Sequence, residues 1–301
     1  MKKLVALLCT ATVAATLFCG CGAKEEPAAE AATTEAATEE TSTDVAPEAT
    51  EDTAAEEVAS EATGDALLEN NTFTVGFDAE FPPYGYMDEN GEYTGFDLEL
   101  AEEVCTRNGW TLVKQPIDWD AKDMELSSGS ISCIWNGFTI TDEREKSLSM
   151  TKPYLNNAQV LVVRKNGGIE KLSDAAGKTI GLQKGSSAQD AVESNKDFAD
   201  SLKNLVFYND NITALNDLEL GGVDAVVMDS VVAAYDISVS NKPLVIVDEV
   251  LANEAYGIGF RKTDVKLRDK VQKILEDMEK DGTVASVSNK WFGKNISVIG
   301  K

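Results

Sequence analysis

Short apolar runs of strand length alternate with segments of helical periodicity from about Thr72 to Phe292, and this alternation restricts the chain to a small set of folds. The first run, Thr72–Phe77, is followed by apolar positions at helical spacing from Phe96 to Cys105. The series starts again after residue 167, and the two series share no internal sequence repeat. Two series of this kind predict an α/β fold in two lobes.

The same patterns predict the individual elements. Strands are expected at 72–77, 111–117, 131–135, 160–163, 178–182, 205–208, 224–228, 244–247 and 256–260. Helices are expected at 96–108, 123–127, 172–176, 188–194, 212–220, 231–237 and 266–280, with a shorter one ending near 292. Residues 78–87 contain two consecutive prolines, which favour an aromatic-rich loop over a central strand.

Composition excludes several classes of function. The chain has 301 residues and a formal net charge of −25, so no basic surface is available to bind nucleic acid. It contains no histidine, which removes Ser-His-Asp and Cys-His catalysis and histidine-bound zinc. The folded part also lacks a CxxC or other metal-ligand spacing, and we expect neither a metal nor a cofactor.

Residues 1–20 have the features of an export signal. Two lysines form a positive start, and the apolar stretch 4–18 that follows is too short for a transmembrane span. The end of this stretch, L-F-C-G-C, is similar to a bacterial lipobox, which predicts lipidation of Cys21. The alternatives are lipidation of Cys19, which the bulky residue before it disfavours, and a plain secretory signal.

Residues 21–70 contain 15 acidic residues, a single lysine and almost no large apolar residue before Leu67. Such a segment cannot bury enough apolar surface to offset the entropy lost on ordering, so its composition predicts disorder. Its position between a lipid anchor and a folded body predicts a tether. The protein is therefore expected at the outer face of a bacterial cell membrane, held there by lipid.

Two cysteines, Cys105 and Cys133, remain for the folded part. A pair in an exported protein is compatible with a disulfide, but each lies within an apolar pattern. Buried free thiols are therefore slightly favoured, and a bridge stays open as the alternative.

An apolar run ends in the stretch Asn136–Arg144, which reads N-G-F-T-I-T-D-E-R. Gly137 permits close approach of the backbone to a ligand, and Thr139 and Thr141 supply hydroxyls. Arg144 supplies a planar fork that matches a carboxylate. These features favour a site for a small anion. The alternative is a turn and a helix start, with Thr141 as N-cap and Arg144 as a solvated surface charge.

Seven stretches together resemble a known family. They are V-G-F-D-A-E-F-P-P-Y-G-Y, G-E-Y-T-G-F-D-L-E-L-A, N-G-F-T-I-T-D-E-R, T-K-P-Y, G-L-Q-K-G-S-S, D-A-V-V-M-D and the terminal G-T-V-A…K-W-F-G. Their order and their coverage of nearly the whole folded body are similar to the extracytoplasmic solute-binding proteins of ABC importers. The resemblance is to the branch that binds polar amino acids.

The resemblance implies a type II periplasmic-binding-protein-like fold, with two α/β lobes joined by two crossing strands and closing on ligand by a hinge. Lobe 1 would comprise 71–160 and 255–301, and lobe 2 would comprise 161–254. Hinges are expected near Leu161–Val163 and Ala255–Gly257.

The resemblance also implies roles at the head group of the ligand. Arg144 would clamp the α-carboxylate, assisted by the amide and hydroxyl of Thr139 and by the Ser187 amide at a helix N-terminus. Asp229 would accept the α-ammonium together with the Gly137 carbonyl. An alternative role for Asp229 is the N-cap of the helix that follows it.

Other residues would surround the ligand side chain. Phe81 and Trp119 match the aromatic positions that sandwich it, although either residue is also compatible with the core. The positions that recognise polar side-chain groups are Asp78, Asn136, Gln183 and Lys184. The neutral Gln183 and Asn136 favour a polar uncharged amino acid, such as glutamine or cystine.

The expected function is capture of a free L-amino acid and its delivery to the membrane permease of an ABC importer, by a protein that acts as a monomer. Two alternatives belong to other classes: a dehydratase-type enzyme of the same fold, and a lipoprotein that senses the amino acid or mediates adhesion. An enzyme would need a positioned acid or base in the cleft, and the absence of histidine argues against one. A sensor would be supported by a fused kinase or transmembrane domain.

Overall fold

The computed structural model describes residues 68–301. The predicted export signal, the predicted lipidation site Cys21 and the predicted tether up to residue 67 lie outside the described residues. Leu68, which falls at the end of the predicted tether, is buried against the core and is followed by a 3-10 turn at Glu69–Asn71. Within this described range, no helix is both long and apolar enough to cross a bilayer.

Twelve strands and nine α-helices make up the described chain. The strands are β1 Thr72–Phe77, β2 Glu80–Phe81, β3 Gly85–Met87, β4 Tyr93–Thr94, β5 Thr111–Pro116, β6 Cys133–Thr139, β7 Leu148–Met150, β8 Leu155–Arg164, β9 Thr179–Gln183, β10 Asn204–Tyr208, β11 Ala225–Asp229 and β12 Leu244–Arg261. The helices are α1 Phe96–Asn108, α2 Lys122–Ser128, α3 Asp142–Ser147, α4 Ser187–Ser194, α5 Lys196–Ser201, α6 Asn211–Leu220, α7 Ser230–Ser240, α8 Val265–Lys280 and α9 Thr283–Phe292.

One mixed sheet organises these elements. Its strands follow the order β10-β9-β11-β8-β12-β6-β1-β5, and β7 also pairs with β12. Strands β1, β5 and β6 are parallel to one another, as are β9, β10 and β11. The long strands β8 and β12 run antiparallel between these two groups. We call the side with β1, β5 and β6 lobe 1 and the side with β9, β10 and β11 lobe 2. The chain passes from lobe 1 to lobe 2 after β8 and returns along β12.

Burial follows the sequence pattern closely in the central strands. All seven residues of β6 and all five of β11 are buried, as expected for strands covered on both faces. Helix α8 instead buries one stripe, formed by Leu267, Val271, Leu275 and Met278. The carboxyl ends of β1, β6, β9 and β11 meet in the cleft between the lobes. Ligands of open α/β sheets bind at the carboxyl ends of strands.

Three local predictions differ from the structure. The two strands expected at 244–247 and 256–260 are one strand, β12, whose pairing with β8 shifts register between Ile246 and Val250 and again before Ala252. The exposed Asp248 and Glu249 interrupt its apolar pattern. The region expected as a loop after β1 forms a small three-stranded sheet of β2, β3 and β4. The polar stretch Asp142–Ser147, for which a helix start was only the alternative, is helical.

The two cysteines of the folded part are buried free thiols, which was the favoured alternative. Burial raises the pKa of Cys105 to about 12 and that of Cys133 well above its usual value. Neither thiol is therefore poised as a nucleophile.

Candidate functional site

A small cavity lies between the lobes and brings all ten predicted site residues together. The space inside it is about 10 Å³, roughly room for one water molecule, so the lining side chains nearly close the cleft. Ser186 completes its lining. The ten residues are Asp78, Phe81, Trp119, Asn136, Gly137, Thr139, Arg144, Gln183, Ser187 and Asp229.

Arg144 provides the positive charge of the cavity. Its guanidinium lies 4.2 Å from the centre of the Phe138 ring and donates a 2.8 Å hydrogen bond to the Thr139 carbonyl. Within residues 68–301, no carboxylate forms an ion pair with it. A guanidinium fixed by a ring and a carbonyl keeps further N–H groups for an anion in the cavity.

The alternative interpretation of this stretch is also partly correct. The Thr141 hydroxyl accepts a 3.2 Å hydrogen bond from the Arg144 backbone amide and caps α3. Arg144 is nevertheless half-buried rather than a solvated surface charge, and desolvation lowers its pKa. The backbone amide of Arg144 therefore takes part in the helix cap, while its side chain lines the cavity.

Thr139 and Ser187 meet across the cleft next to Arg144. The Thr139 hydroxyl lies 3.0 Å from the Ser187 hydroxyl, and each of the two residues is buried. Ser187 is the first residue of the eight-residue helix α4, where unpaired backbone N–H groups favour negative charge. This part of the cavity is therefore suited to a carboxylate.

Asp229 lies at the N-cap position of α7, but its side chain does not cap the helix. Its carboxylate instead accepts hydrogen bonds from Asn157 at 2.6 Å, Gln159 at 3.1 Å and the Tyr256 hydroxyl at 2.6 Å. Burial, followed by repulsion from Glu254, raises the pKa of Asp229 to about 7. The Asp229 side chain is thus a buried, hydrogen-bonded carboxyl group that borders the cavity.

Strand register explains how these partners reach Asp229. Gln159 pairs with Asp229 across β8 and β11, and Asn157 pairs with Glu254 across β8 and β12. Asn157 and Gln159 are two residues apart, so their side chains share one face of β8. These partners were not predicted from the sequence; the available signal was the pair of amides at alternate positions of β8, Asn157 and Gln159.

Gly137 is held by a buried aspartate that the sequence analysis also missed. Its φ is +55°, a conformation that glycine adopts readily, and its amide donates a 2.7 Å hydrogen bond to Asp97. Asp97 also accepts a 2.8 Å bond from the Tyr154 hydroxyl, and burial raises its pKa to about 7. Asp97 therefore fixes the peptide group that borders the cavity.

Asp78 and Gln183 close the opposite end. The Gln183 amide donates a 2.7 Å hydrogen bond to Asp78 from the other lobe, while the Asn136 side-chain oxygen accepts a 3.1 Å bond from the Asp78 amide. Burial raises the pKa of Asp78 to about 6. Lys184 is exposed and pairs with Asp120 at 2.6 Å, so it does not line the cavity as proposed from the sequence.

The aromatic walls serve two purposes. Phe81 lies in the main core cluster with its ring 5.9 Å from that of Tyr84, and Trp119 packs edge-on against Phe138 at 5.9 Å. Both rings also border the cavity. Phe81 and Trp119 are therefore core residues that also border the cavity, which leaves their role at a ligand side chain a prediction.

Taken together, the cavity has a positively charged end next to a buried acid, aromatic sides and a second acid at the far end. A cation next to an acid suits a ligand that carries a negative group and a positive group close together. A further contact joins the two lobes: Lys122 donates a 2.8 Å hydrogen bond to the Gly185 carbonyl.

Comparison with known proteins agrees with this geometry. The L-cystine-binding protein TcyJ of Escherichia coli (strain K12) is 30% identical over 231 residues, which cover 76% of this chain and 85% of that protein. The probable amino-acid-binding protein YxeM of Bacillus subtilis (strain 168) is 34% identical over 233 residues, covering 76% of this chain and 87% of that protein.

A solved structure shows the same fold. An ABC uptake transporter substrate binding protein from Streptococcus pneumoniae, with bound histidine, superimposes with a TM-score of 0.74 and 36% identity over 76% of this chain and 95% of that chain. The two-lobe type II fold is thereby confirmed. The family model for bacterial extracellular solute-binding proteins, family 3, matches residues 73–294. This match covers most of the chain, which therefore belongs to the family 3 bacterial extracellular solute-binding proteins.

Proposed function

We propose that this chain captures a free L-amino acid outside the cell and delivers it to an ABC importer. The observation that carries the proposal is the convergence of Arg144, Ser187 and Asp229 on one small closed cavity. A zwitterionic head group needs a cation and an acid at neighbouring positions, and this end of the cavity supplies both. Ligand that prefers the closed form would shift the cleft toward closure, which is the form a permease would recognise.

We assign each residue of the cavity a role. Arg144 binds the α-carboxylate in a bidentate manner, with the amides of Thr139 and Ser187 as further donors. Asp229 binds the α-ammonium, assisted by the Gly137 carbonyl. Phe81 and Trp119 form the walls around the ligand side chain, and Asp78, Asn136 and Gln183 surround its polar end.

For the ligand we propose a polar amino acid without net charge, with L-cystine first and L-glutamine second. A relative that covers most of this chain is named as an L-cystine-binding protein. A second pocket of about 260 Å³ shares Asp78 and Trp119 with the first and is also lined by Glu80, Asp118 and Asp210. The second ammonium group of cystine would lie among these acids, whereas a glutamine amide would end at Gln183 and Asn136.

Calorimetric titration tests this proposal. The purified protein is unfolded and refolded to remove any bound ligand, and is then titrated with L-cystine, L-glutamine, L-arginine and L-histidine. Tight binding of L-cystine or L-glutamine is expected. Tight binding of L-arginine alone would overturn the ligand assignment, and no binding across the natural amino acids would overturn the function.

We further propose that the protein binds its ligand without converting it. The relatives compared above are described as binding proteins. Ligand recovered unchanged by mass spectrometry after long incubation with the protein is the expected result. A product of elimination or hydrolysis would favour the dehydratase-type alternative.

Anchoring through a lipid on Cys21 completes the proposal. A Cys21→Ala variant expressed in its host should appear in the medium rather than with the membrane fraction, whereas Cys19→Ala should stay with the membrane. Membrane retention of Cys21→Ala would overturn this assignment.

A further inference from the structure

Glu254 lies beside Asp229 at the head-group end of the cavity, and no motif in the sequence pointed to it. Four donors converge on one of its carboxylate oxygens. The Thr139 hydroxyl, the Asn157 amide and the Gln159 amide each lie 3.0 Å away, and the Ser187 hydroxyl lies at 3.4 Å. Glu254 is carried by β12, the strand that returns from lobe 2 to lobe 1.

The same amides serve both acids. The Asn157 side-chain nitrogen has two N–H groups, and it donates to Asp229 at 2.6 Å and to Glu254 at 3.0 Å. The Gln159 nitrogen likewise lies within bonding distance of both carboxylates. Since each amide stands opposite one of the acids in the strand register, the sheet itself holds Asp229 and Glu254 side by side.

Glu254 also sets the orientation of the Thr139 hydroxyl. Thr139 has one hydroxyl proton and two acceptors within reach, the Ser187 hydroxyl and the Glu254 carboxylate, each at 3.0 Å. A carboxylate is the stronger acceptor, so the proton points to Glu254. The Ser187 hydroxyl can then donate to the Thr139 oxygen, which keeps one lone pair to accept a hydrogen bond from a ligand in the cavity.

We propose that Glu254 is a positioning residue of the ammonium subsite: it orients the Thr139 hydroxyl and the Asn157 and Gln159 amides, and it adds a second negative charge behind Asp229. This inference rests on the proposed function. It deepens that function by assigning the ammonium group of the ligand to a pair of acids rather than to Asp229 alone.

The charges around Asp229 should make ligand affinity depend on pH. Asp229 faces Glu254 and Tyr256 from β12, Tyr84 from the turn between β2 and β3, and the Arg144 guanidinium from α3. Burial and Glu254 raise the pKa of Asp229 to about 7, so much of the ligand-free protein carries a proton there at neutral pH. Binding of an ammonium group expels that proton, and affinity should rise with pH up to about 7.

Glu254 therefore acts in two opposite ways. Above pH 7, where Asp229 is ionised in any case, the charge of Glu254 only strengthens attraction for the ammonium group. At acid pH it also holds the proton on Asp229, which opposes binding. Removing its charge should consequently weaken binding most at high pH.

The test compares wild type with Glu254→Gln, which keeps the side-chain length and an acceptor oxygen. L-Cystine, L-glutamine and L-arginine are titrated into the full chain at pH 8 and pH 5.5. Glu249→Gln, an exposed change on the same strand, is the matched control. We expect Glu254→Gln to bind about tenfold more weakly than wild type at pH 8, with a clearly smaller difference at pH 5.5.

Other results overturn the inference. An equal loss at both pH values would indicate a merely structural role, unchanged affinity would indicate no role, and tighter binding would make Glu254 a competitor of the ligand.

A second measurement does not depend on the ligand. Carboxyl NMR titration of the ligand-free protein should show a lower midpoint for Asp229 in Glu254→Gln than in wild type. An unchanged midpoint would overturn the inference on Glu254. Failure of wild type to bind any amino acid would instead overturn the proposed function, so the two failures are distinguishable.

Discussion

The Asp78 carboxylate and the Gln183 amide are joined by a 2.7 Å hydrogen bond that crosses the cleft between the lobes. Asp78 follows β1 in lobe 1, and Gln183 is the last residue of β9 in lobe 2. The bond also stabilises the ionised form of Asp78 against the effect of its burial. It therefore couples closure of the cleft to the charge at the side-chain end of the cavity.

Replacing Gln183 by leucine should weaken ligand binding about tenfold, because the closed form loses this hydrogen bond and the buried Asp78 loses a partner. Calorimetry on the refolded protein measures the change. Gln115→Leu, on an exposed position of β5, should leave affinity as in wild type. Equal affinities for Gln183→Leu and wild type would remove Gln183 from the site.

Arg144→Ala should reduce affinity by more than about 100-fold, or roughly 3 kcal/mol, since it removes a charge-assisted bidentate contact and leaves a desolvated carboxylate. The melting temperature of the ligand-free protein should stay close to that of wild type, because within residues 68–301 Arg144 has no ion pair to lose. Arg144→Lys should recover only part of the affinity, since a lysine cannot form the planar fork. An unchanged dissociation constant for Arg144→Ala would reject the assignment.

Gly137→Ala tests the backbone at the cavity. A Cβ at this position would lie 3.0 Å from the Phe81 ring and 3.1 Å from the Tyr256 ring, in addition to the strain of a φ of +55°. Gly91→Ala is the matched control, because Gly91 has a φ of +81° and open space around it. Gly91→Ala should lower the free energy of unfolding by about 1 kcal/mol without affecting binding. Gly137→Ala should lower it further and weaken binding; equal effects of the two changes would show that the rings do not constrain the site.

Much of the fold was accessible from the sequence because its central strands are buried on both faces. The uninterrupted apolar run that leads into Asn136 and the run that leads into Asp229 predicted β6 and β11 without tertiary information. Strand β12 was predicted in two pieces because its middle is exposed and its pairing shifts register, so local pattern and hydrogen bonding disagree there. Helix α3 was only the alternative interpretation of its stretch, because it is short and polar and depends on the Thr141 cap.

The cavity lining was predictable for a different reason. The motif residues lie at the carboxyl ends of parallel strands, which the fold class brings to one cleft. The supporting residues were not predictable in this way. Asn157 and Glu254 become neighbours only through the register of β8 and β12, and Asp97 reaches Gly137 from a different element 40 positions earlier in the chain. No local pattern contains such information.

The buried acids of the site predict how stability depends on pH. Burial raises the pKa of Asp78 to about 6 and those of Asp97 and Asp229 to about 7, from 3.8. A carboxyl group with a higher pKa in the folded protein binds more protons there than in the unfolded chain. The free energy of unfolding of the ligand-free protein should therefore fall as pH rises from about 4 to about 7.

Thermal unfolding of the refolded, ligand-free protein should give a melting temperature at pH 5 that exceeds the value at pH 7.5 by several degrees. Asp97→Asn keeps an acceptor for Gly137 but removes one titrating group, so it should reduce this difference. Asp88→Asn is the control: Asp88 lies in a surface turn and its backbone hydrogen bonds lower its pKa, so its titration lies below this window. A melting temperature that rises from pH 5 to pH 7.5 would show that these acids are ionised in the folded protein, and that the site already carries their full negative charge before the ligand arrives.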